Sequence, residues 1–292
     1  MKIAIYSRSV ESHFIPKLEN IFQKLEEQNC EILIYQAFAE HLIYTHNFQF
    51  SAYSYFTSHI DLPANTDVMI SIGGDGTFLD TITFVRDTGI PIAGINTGKL
   101  GFLANISQDS IMYALDCLFY KKYKNEPRTL LEVESSENTF DNFPFALNEV
   151  TVQKKGSSMI SVHTYLNNAF LNSYFADGLI IATPTGSTAY SLSAGGPIVV
   201  PNSCNFIISP IAPHTLSVRP IVISDENQIT LHIESRDNNA LVSVDHRYEV
   251  CNTTAPIVIK KANYSINLVH LENISFYNTL RNKLMWGIDK RT

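Results

Sequence analysis

Apolar residues recur along this chain in two rhythms, and the change from one to the other divides it. At the start, short apolar runs alternate with segments of helical spacing. Lys2 to Tyr6 reads as a strand, Phe14 to Gln28 as an amphipathic helix begun near Pro16, and Glu31 to Tyr35 as a second strand, a βαβ opening. Phe38 to Ile60 is rich in Tyr, Phe and His without a clean period, and is assigned a helix followed by a mobile loop. Asp67 to Ile72 has the β-branched, apolar character of a strand buried on both faces. Phe78, Leu79, Ile82 and Val85 then carry helical spacing from Thr77 to Arg86, and Ile90 to Ile95 is a fourth strand entered after Gly89. Ile111 to Tyr120 reads as a connecting helix.

A polar, Lys-rich stretch, Lys121 to Pro127, is expected to be a solvated hinge at a domain boundary. Beyond it the rhythm becomes that of strands: Thr129 to Glu134, Phe145 to Val152, Ser158 to Leu166, Ala169 to Phe175, Leu179 to Ala182, Gln228 to Glu234, Leu241 to Val244 and Pro256 to Lys260. Asn167-Asn168 makes a hairpin turn. The fold class is therefore α/β plus β, with a parallel α/β domain followed by an antiparallel β-sandwich. Phe276 to Trp286 is amphipathic and reads as a closing helix.

Between the third strand and its helix lies Gly73-Gly74-Asp75-Gly76-Thr77. A strand that turns into a helix through glycines leaves backbone N–H groups unpaired where the helix dipole favours negative charge, so phosphate fits there. The glycines remove the Cβ atoms that would keep a ligand off the backbone. An aspartate that only caps the helix is the simpler alternative, but that role does not call for three glycines. Two known templates are excluded. The dinucleotide fingerprint needs a glycine where this chain has Leu79, and a Walker loop needs Ser or Thr where Gly98-Lys99 is followed by Leu100. A second glycine loop, Asn96 to Leu103, follows the fourth strand, and ligands of parallel sheets sit outside the carboxyl ends of strands, which puts both loops on one rim.

The 292 residues are enough for about two domains at roughly 150 residues each, and the balance of 28 acidic against 21 basic residues, net −7, offers no broad basic surface for nucleic acid or an anionic membrane. Cys30, Cys117, Cys204 and Cys251 form no paired motif, and the nine histidines make no metal-ligand pair, so no protein-borne metal site is expected. With no signal-peptide pattern and no membrane-length apolar run, a cytoplasmic protein is the expectation.

Two later stretches add chemistry. Asn148-Glu149 follows an apolar strand, where an amide and a carboxylate can bond two hydroxyls of a sugar. In Asp177 to Pro197 a strand ends in a hydroxyl-rich turn around Tyr190. Ser187 or Thr188 could be an ordinary helix cap, but so many small polar residues around one tyrosine suit a nucleobase pocket better.

Taken together, the Gly-Gly-Asp-Gly-Thr turn, Asn148-Glu149 and the Asp177 to Pro197 run resemble the NAD kinase family, within a superfamily shared with diacylglycerol and sphingosine kinases and, more loosely, phosphofructokinases. The resemblance implies a Rossmann-like first domain, residues 1–107 with 270–292 returning to it, and a β-sandwich domain over 108–269. It implies phosphoryl transfer from ATP, with Mg²⁺ or another divalent metal, to the adenosine 2′-hydroxyl of NAD. Asp75 matches the catalytic base, and Gly74, Gly76 and Thr77 its nucleotide-binding neighbours. Phe102 matches an aromatic on the adenine side, and Asn148 and Glu149 match ribose ligands. Thr185, Thr188, Ala189, Tyr190, Ser191, Leu192 and Ser193 match the nucleotide pocket. Asp177 matches a carboxylate toward the nicotinamide end or a neighbouring subunit's ligand, and Ala212 a backbone contact. Family active sites lie between domains and borrow residues across subunits, so a homo-oligomer, dimer or tetramer, is implied. Two positions depart from the family pattern: Phe175 stands where some members are basic, and Asp245-His246-Arg247 where many have Asp-Gly. The rival readings are a lipid kinase of the same superfamily, which would need an apolar entrance, and a non-catalytic sensor of NAD or NADP.

Overall fold

The computed structural model describes residues 1–50, 53–135, 140, 142–272 and 274–285. The chain divides into two compact units, Met1–Pro127 with Ile266–Thr292, and Arg128–Ser265.

The first unit is built on five parallel strands, β1 (Lys2–Tyr6), β2 (Glu31–Tyr35), β3 (Ser54–Phe56), β4 (Val68–Gly73) and β5 (Ile92–Asn96), in the order β3-β2-β1-β4-β5. Strand order reverses between β1 and β4, the kind of point at which parallel sheets open a ligand crevice. Four helices connect the strands: α1 (Ile15–Glu27), α2 (Gln36–His46), α3 (Asp75–Val85) and α4 (Ile111–Phe119). All residues of β4 are buried, as expected for a strand covered on both faces. Helix α1 starts with Pro16 in its first turn, where no backbone bond is lost, and buries Leu18, Ile21, Phe22 and Leu25 at helical spacing. These side chains join Phe14, Ile34, Ile70, Ala93 and Leu115 in one core.

The stretch expected as helix and loop from Phe38 to Ile60 holds a helix, a segment without regular structure and a short strand; residues 51–52 lie outside the described residues. Its helix begins at Gln36 and ends at Asn47 in the left-handed conformation (φ 53°). Ser54–Phe56 then adds an edge strand beside β2, too short to carry a period. The basic stretch before Pro127 is likewise half strand, because β6 (Lys124–Glu134) begins inside it.

The second unit holds two antiparallel sheets. One runs β13 (Ile221–Ser224), β12 (Asn205–Ile211), β11 (Gly178–Ala182), β8 (Glu149–Lys154), β15 (Asn239–Val244), β16 (Arg247–Asn252). The other contains β10 (Ala169–Ala176), β9 (Ile160–Leu166), β14 (Ile229–Glu234) and the first residues of β17 (Ile257–His270). Val150, Leu179, Phe206 and Val242 of the first sheet and Val162, Ile229 and Ile259 of the second share one apolar core, which makes the unit a β-sandwich. Asn167 (φ 48°) and Asn168 (φ 69°) form the expected hairpin turn between β9 and β10. Three strands had escaped the sequence pattern: β12 carries Pro210, β13 is mostly exposed, and β16 is polar along most of its length. The strand expected from Phe145 to Val152 is broken at Leu147-Asn148 into β7 (Phe145–Ala146) and β8.

Phe206, fully buried in the sandwich, anchors this second core. Phe206→Ala is expected to cost about 3–5 kcal/mol, read as a lowered urea midpoint; a midpoint near the parental one would show that the sandwich does not depend on this packing.

Candidate active site

The glycine turn joins β4 to α3. Gly74 is the N-cap of α3 and Asp75 its first helical residue, so the aspartate does not cap its own helix. Gly73 takes a φ of +155°, and a Cβ there would collide with the Thr77 side chain. A Cβ on Gly74 or Gly76 would meet nothing within 4 Å. The start of α3 thus presents open backbone, with first-turn N–H groups that have no carbonyl one turn back and the positive end of the helix dipole behind them.

The Asp75 carboxylate turns toward the loop after β5. Its Oδ1 accepts the backbone N–H groups of Leu103 and Ala104, each at 3.0 Å. Its Oδ2 accepts the Phe102 N–H at 3.0 Å and the Lys283 ammonium at 3.2 Å. Gly101 permits this approach, because a Cβ there would overlap the carboxylate. Asn96 braces the same loop: its side chain donates to the Lys99 carbonyl and accepts from the Gly98 N–H, both at 2.8 Å. Gln108 donates to the Thr97 carbonyl at 2.7 Å. The two glycine loops do share a rim, since Gly73 and Asn96 are register partners at the ends of β4 and β5. Phe102, half-buried, lies with its ring 6.1 Å from Phe276 and 4.7 Å from the Lys283 ammonium. Both come from α6 (Phe276–Leu284), the closing helix; Trp286, included in its expected span, lies outside the described residues.

In the second unit the break between β7 and β8 is held by Asp245. This buried carboxylate accepts the N–H groups of Leu147 (2.9 Å), Asn148 (2.7 Å) and Glu149 (3.3 Å) from the turn joining β15 to β16. Thr183, at the end of β11, donates its N–H to the Asn148 carbonyl at 2.9 Å and its hydroxyl to the Leu147 carbonyl at 2.6 Å. A Cβ on Gly186 would collide with that Asn148 carbonyl, so the turn needs glycine for close contact. Glu149 is buried and its Oε2 has no hydrogen-bond partner. Burial and the neighbouring Asp245 push its carboxyl up to about 8, against an opposing bond from the Tyr190 N–H. Asp245 is also pushed upward by burial, against the opposing effect of its three N–H donors and Arg247.

The hydroxyl-rich run divides by role. Thr185 to Thr188 is a tight turn and Tyr190–Ser193 a short helix, α5, whose N-cap is Ala189 rather than either of the expected hydroxyl residues. Ser187 bonds both backbone groups of Val199, Thr188 bonds the Thr185 carbonyl, and Ser191 meets Ser209 at 3.1 Å. Tyr190 and Ser193 are exposed, Leu192 is half-buried and Thr185 is buried. Asp177 and Ala212 lie elsewhere. Asp177 precedes β11 and Thr183 follows it, a separation of about 20 Å at ~3.4 Å per residue. Asp177 pairs with Lys154 at 2.6 Å and donates its N–H to the Ile211 carbonyl, next to Ala212 (φ 44°). Near them the Phe175 and His214 rings lie 5.8 Å apart.

Residues 4–123 match the ATP-NAD kinase N-terminal domain and residues 147–271 the ATP-NAD kinase C-terminal domain. The chain belongs to the NAD kinase family. It is 44% identical to the NAD kinase of Cytophaga hutchinsonii over 292 residues and 45% identical to that of Flavobacterium psychrophilum over 294, in each case covering 100% of both chains. Among solved structures it resembles an NAD kinase from Archaeoglobus fulgidus in complex with ATP (TM-score 0.75, 26% identity, 97% of this chain and 99% of that one). It shares its fold with yeast NADH kinase complexed with NADH (TM-score 0.86, 22% identity, 99% of this chain and 88% of that one).

Four residues of this family member have parts that no local motif in the chain reveals. Gly101, Asn96 and Asp245 shape loops rather than form a motif, and Lys283 carries no local signal beyond being a cation in the last turn of a helix.

Because the folded state holds Glu149 protonated up to about 8 while an unfolded chain ionises it near 4.3, its burial costs stability increasingly as pH rises between those values. Glu149→Gln is therefore expected to be more thermostable than the parent at pH 8, with the difference shrinking toward pH 5. A difference independent of pH, followed by thermal melts across that range, would contradict the neutral carboxyl.

Proposed function

We propose that this protein transfers the γ-phosphoryl group of ATP to the adenosine 2′-hydroxyl of NAD, giving NADP, with Asp75 accepting the hydroxyl proton. The observation that carries the reading is a full-length NAD kinase match on a chain whose glycine turn sets a carboxylate beside open helix-start backbone. Gly74, Gly76 and Thr77 offer that backbone to the triphosphate, in place of a Walker lysine. ATP enters as its magnesium complex, the metal being carried on the phosphates, since Mg²⁺ keeps several waters and needs few protein ligands. In a loose phosphoryl-transfer transition state, positioning and charge neutralisation contribute more than the strength of the base.

Asn148 and Glu149 are the ribose ligands in this reading. A neutral Glu149 both donates and accepts, and its unpartnered Oε2 supplies the hydrogen-bonding group that a sugar hydroxyl would satisfy. Thr185, Thr188, Ala189, Tyr190, Leu192 and Ser193 form the nucleotide-facing surface, with Ser191 holding the turn from behind, and Phe102 flanks Asp75. Asp177 and Ala212, a strand's length from Glu149, serve a ligand bound by a second copy, so the working form is a homo-oligomer. A cytoplasmic setting fits the four free thiols, and no helix among the described residues is long and apolar enough to cross a membrane. The lipid-kinase and sensor readings find no support in relatives that are named NAD kinase over their full length.

The direct assay supplies ATP, Mg²⁺ and NAD and measures NADP with a specific dehydrogenase. Asp75→Asn is expected to lower turnover about 10²–10⁴-fold with the fold retained, and near-parental turnover would remove Asp75 from its role. Gly101→Ala, which presses a methyl against that carboxylate, is expected to lower kcat on the order of 10²-fold at an unchanged circular dichroism spectrum. Parental kcat in that variant would mean that the setting of the carboxylate is immaterial.

A further inference from the structure

The geometry points to Lys283 as a further catalytic residue, the cation that contacts the phosphoryl group in transfer; this rests on the reading of Asp75 as the base. Phosphoryl transfer spreads negative charge over the peripheral oxygens, and donors preorganised toward them supply most of the catalysis. The chain has no Walker lysine to do this, because Gly98-Lys99 runs into Leu100. At the glycine turn the positive charge comes instead from α6.

Asp75 is bound by four donors, and these are not equivalent. Three are backbone N–H groups of a loop that Asn96 and Gln108 brace, so withdrawing them means moving that loop. The fourth is a long side chain, 35% exposed, on the oxygen that has only one backbone donor. A hydroxyl about to lose its proton to Asp75 needs one carboxylate lone pair, and Lys283 is the donor that can yield it. The ammonium is then kept close. It lies 4.7 Å from the centre of the Phe102 ring, and its helix is fixed by buried Thr279 and Leu280 and by Phe276 beside the same ring. Displaced from Oδ2, it remains within reach of the oxygens of a phosphoryl group arriving at that carboxylate.

The step balances without redox change. The 2′-oxygen forms its bond to phosphorus as the bond from phosphorus to the bridging oxygen breaks, and ADP leaves with that electron pair. The hydroxyl proton passes to Asp75 Oδ2 and later to solvent. Lys283 stays protonated throughout, first as partner of the carboxylate and then as hydrogen-bond donor to the transferred group.

The test compares Lys283→Met and Lys283→Arg, each in the parent chain and in the Asp75→Asn background, by NADP formation, NAD binding calorimetry and circular dichroism. Lys283→Met is expected to lower kcat about 10²–10³-fold with NAD affinity and fold unchanged, and Lys283→Arg to restore most of the loss because the charge is kept. The double variant Asp75→Asn with Lys283→Met is expected to be slower than Asp75→Asn by nearly the full Lys283→Met factor, as for groups acting on different atoms. Parental kcat in Lys283→Met overturns the proposal. So does a double variant no slower than Asp75→Asn alone, which would reduce Lys283 to positioning the carboxylate. High activity of Asp75→Asn by itself would refute the base and not the cation, since the Lys283 variants are also read in the parent chain.

Discussion

A carboxylate caught by three consecutive backbone N–H groups is the contact on which the rim of the first unit depends. The bonds from Phe102, Leu103 and Ala104 to Asp75 tie the start of α3 to the loop after β5, and so tie two neighbouring strand ends together above the sheet. Bonds from N–H groups to a carboxylate are roughly twice as strong as neutral ones. They also explain why residue 101 is glycine, since any side chain there would occupy the carboxylate's place. Three of its four donors are backbone groups of that loop, and the fourth is the Lys283 side chain.

The second unit repeats the device with a different carboxylate. Asp245 takes three consecutive N–H groups, of Leu147, Asn148 and Glu149, and so holds open the break between β7 and β8 that presents the Asn-Glu pair. Burial, with Asp245 as a second cause, raises the Glu149 carboxyl to about 8. A neutral acid can donate a hydrogen bond as well as accept one, so it can meet a ribose hydroxyl in either sense. The residues that create this environment, Asp245 and Thr183, do not face the ligand in this account; they set the electrostatics and shape of those that do.

Most of the fold could be read from the chain because its period is strong where burial is complete. β1, β4 and α1 carry unbroken apolar patterns, and their type and approximate bounds follow directly. β3, β13 and β16 could not be found this way, because a short edge strand or a half-exposed strand needs few apolar residues and owes its existence to a partner elsewhere in the sequence. The site shows the same division. Asp75, Asn148, Glu149 and the run around Tyr190 sit in local motifs whose composition betrays them. Lys283 lies 208 residues from Asp75 and Asp245 lies 97 from Asn148, so their partnership exists only after folding. The Asp245-His246-Arg247 stretch departs from the family pattern in sequence, and the part of Asp245 in the Asn-Glu turn lies in its hydrogen bonds.

In the proposed reaction the acceptor hydroxyl takes the lone pair of Asp75 that Lys283 now covers. A crystal structure with NAD and a non-hydrolysable ATP analogue tests it most directly. The adenosine 2′-oxygen is expected at about 2.6–3.2 Å from Asp75 Oδ2, with the three backbone N–H bonds retained and the Lys283 ammonium moved onto a γ-phosphate oxygen. An Asp75 carboxylate still paired with Lys283, and without contact to the 2′-oxygen in the ternary complex, would contradict it.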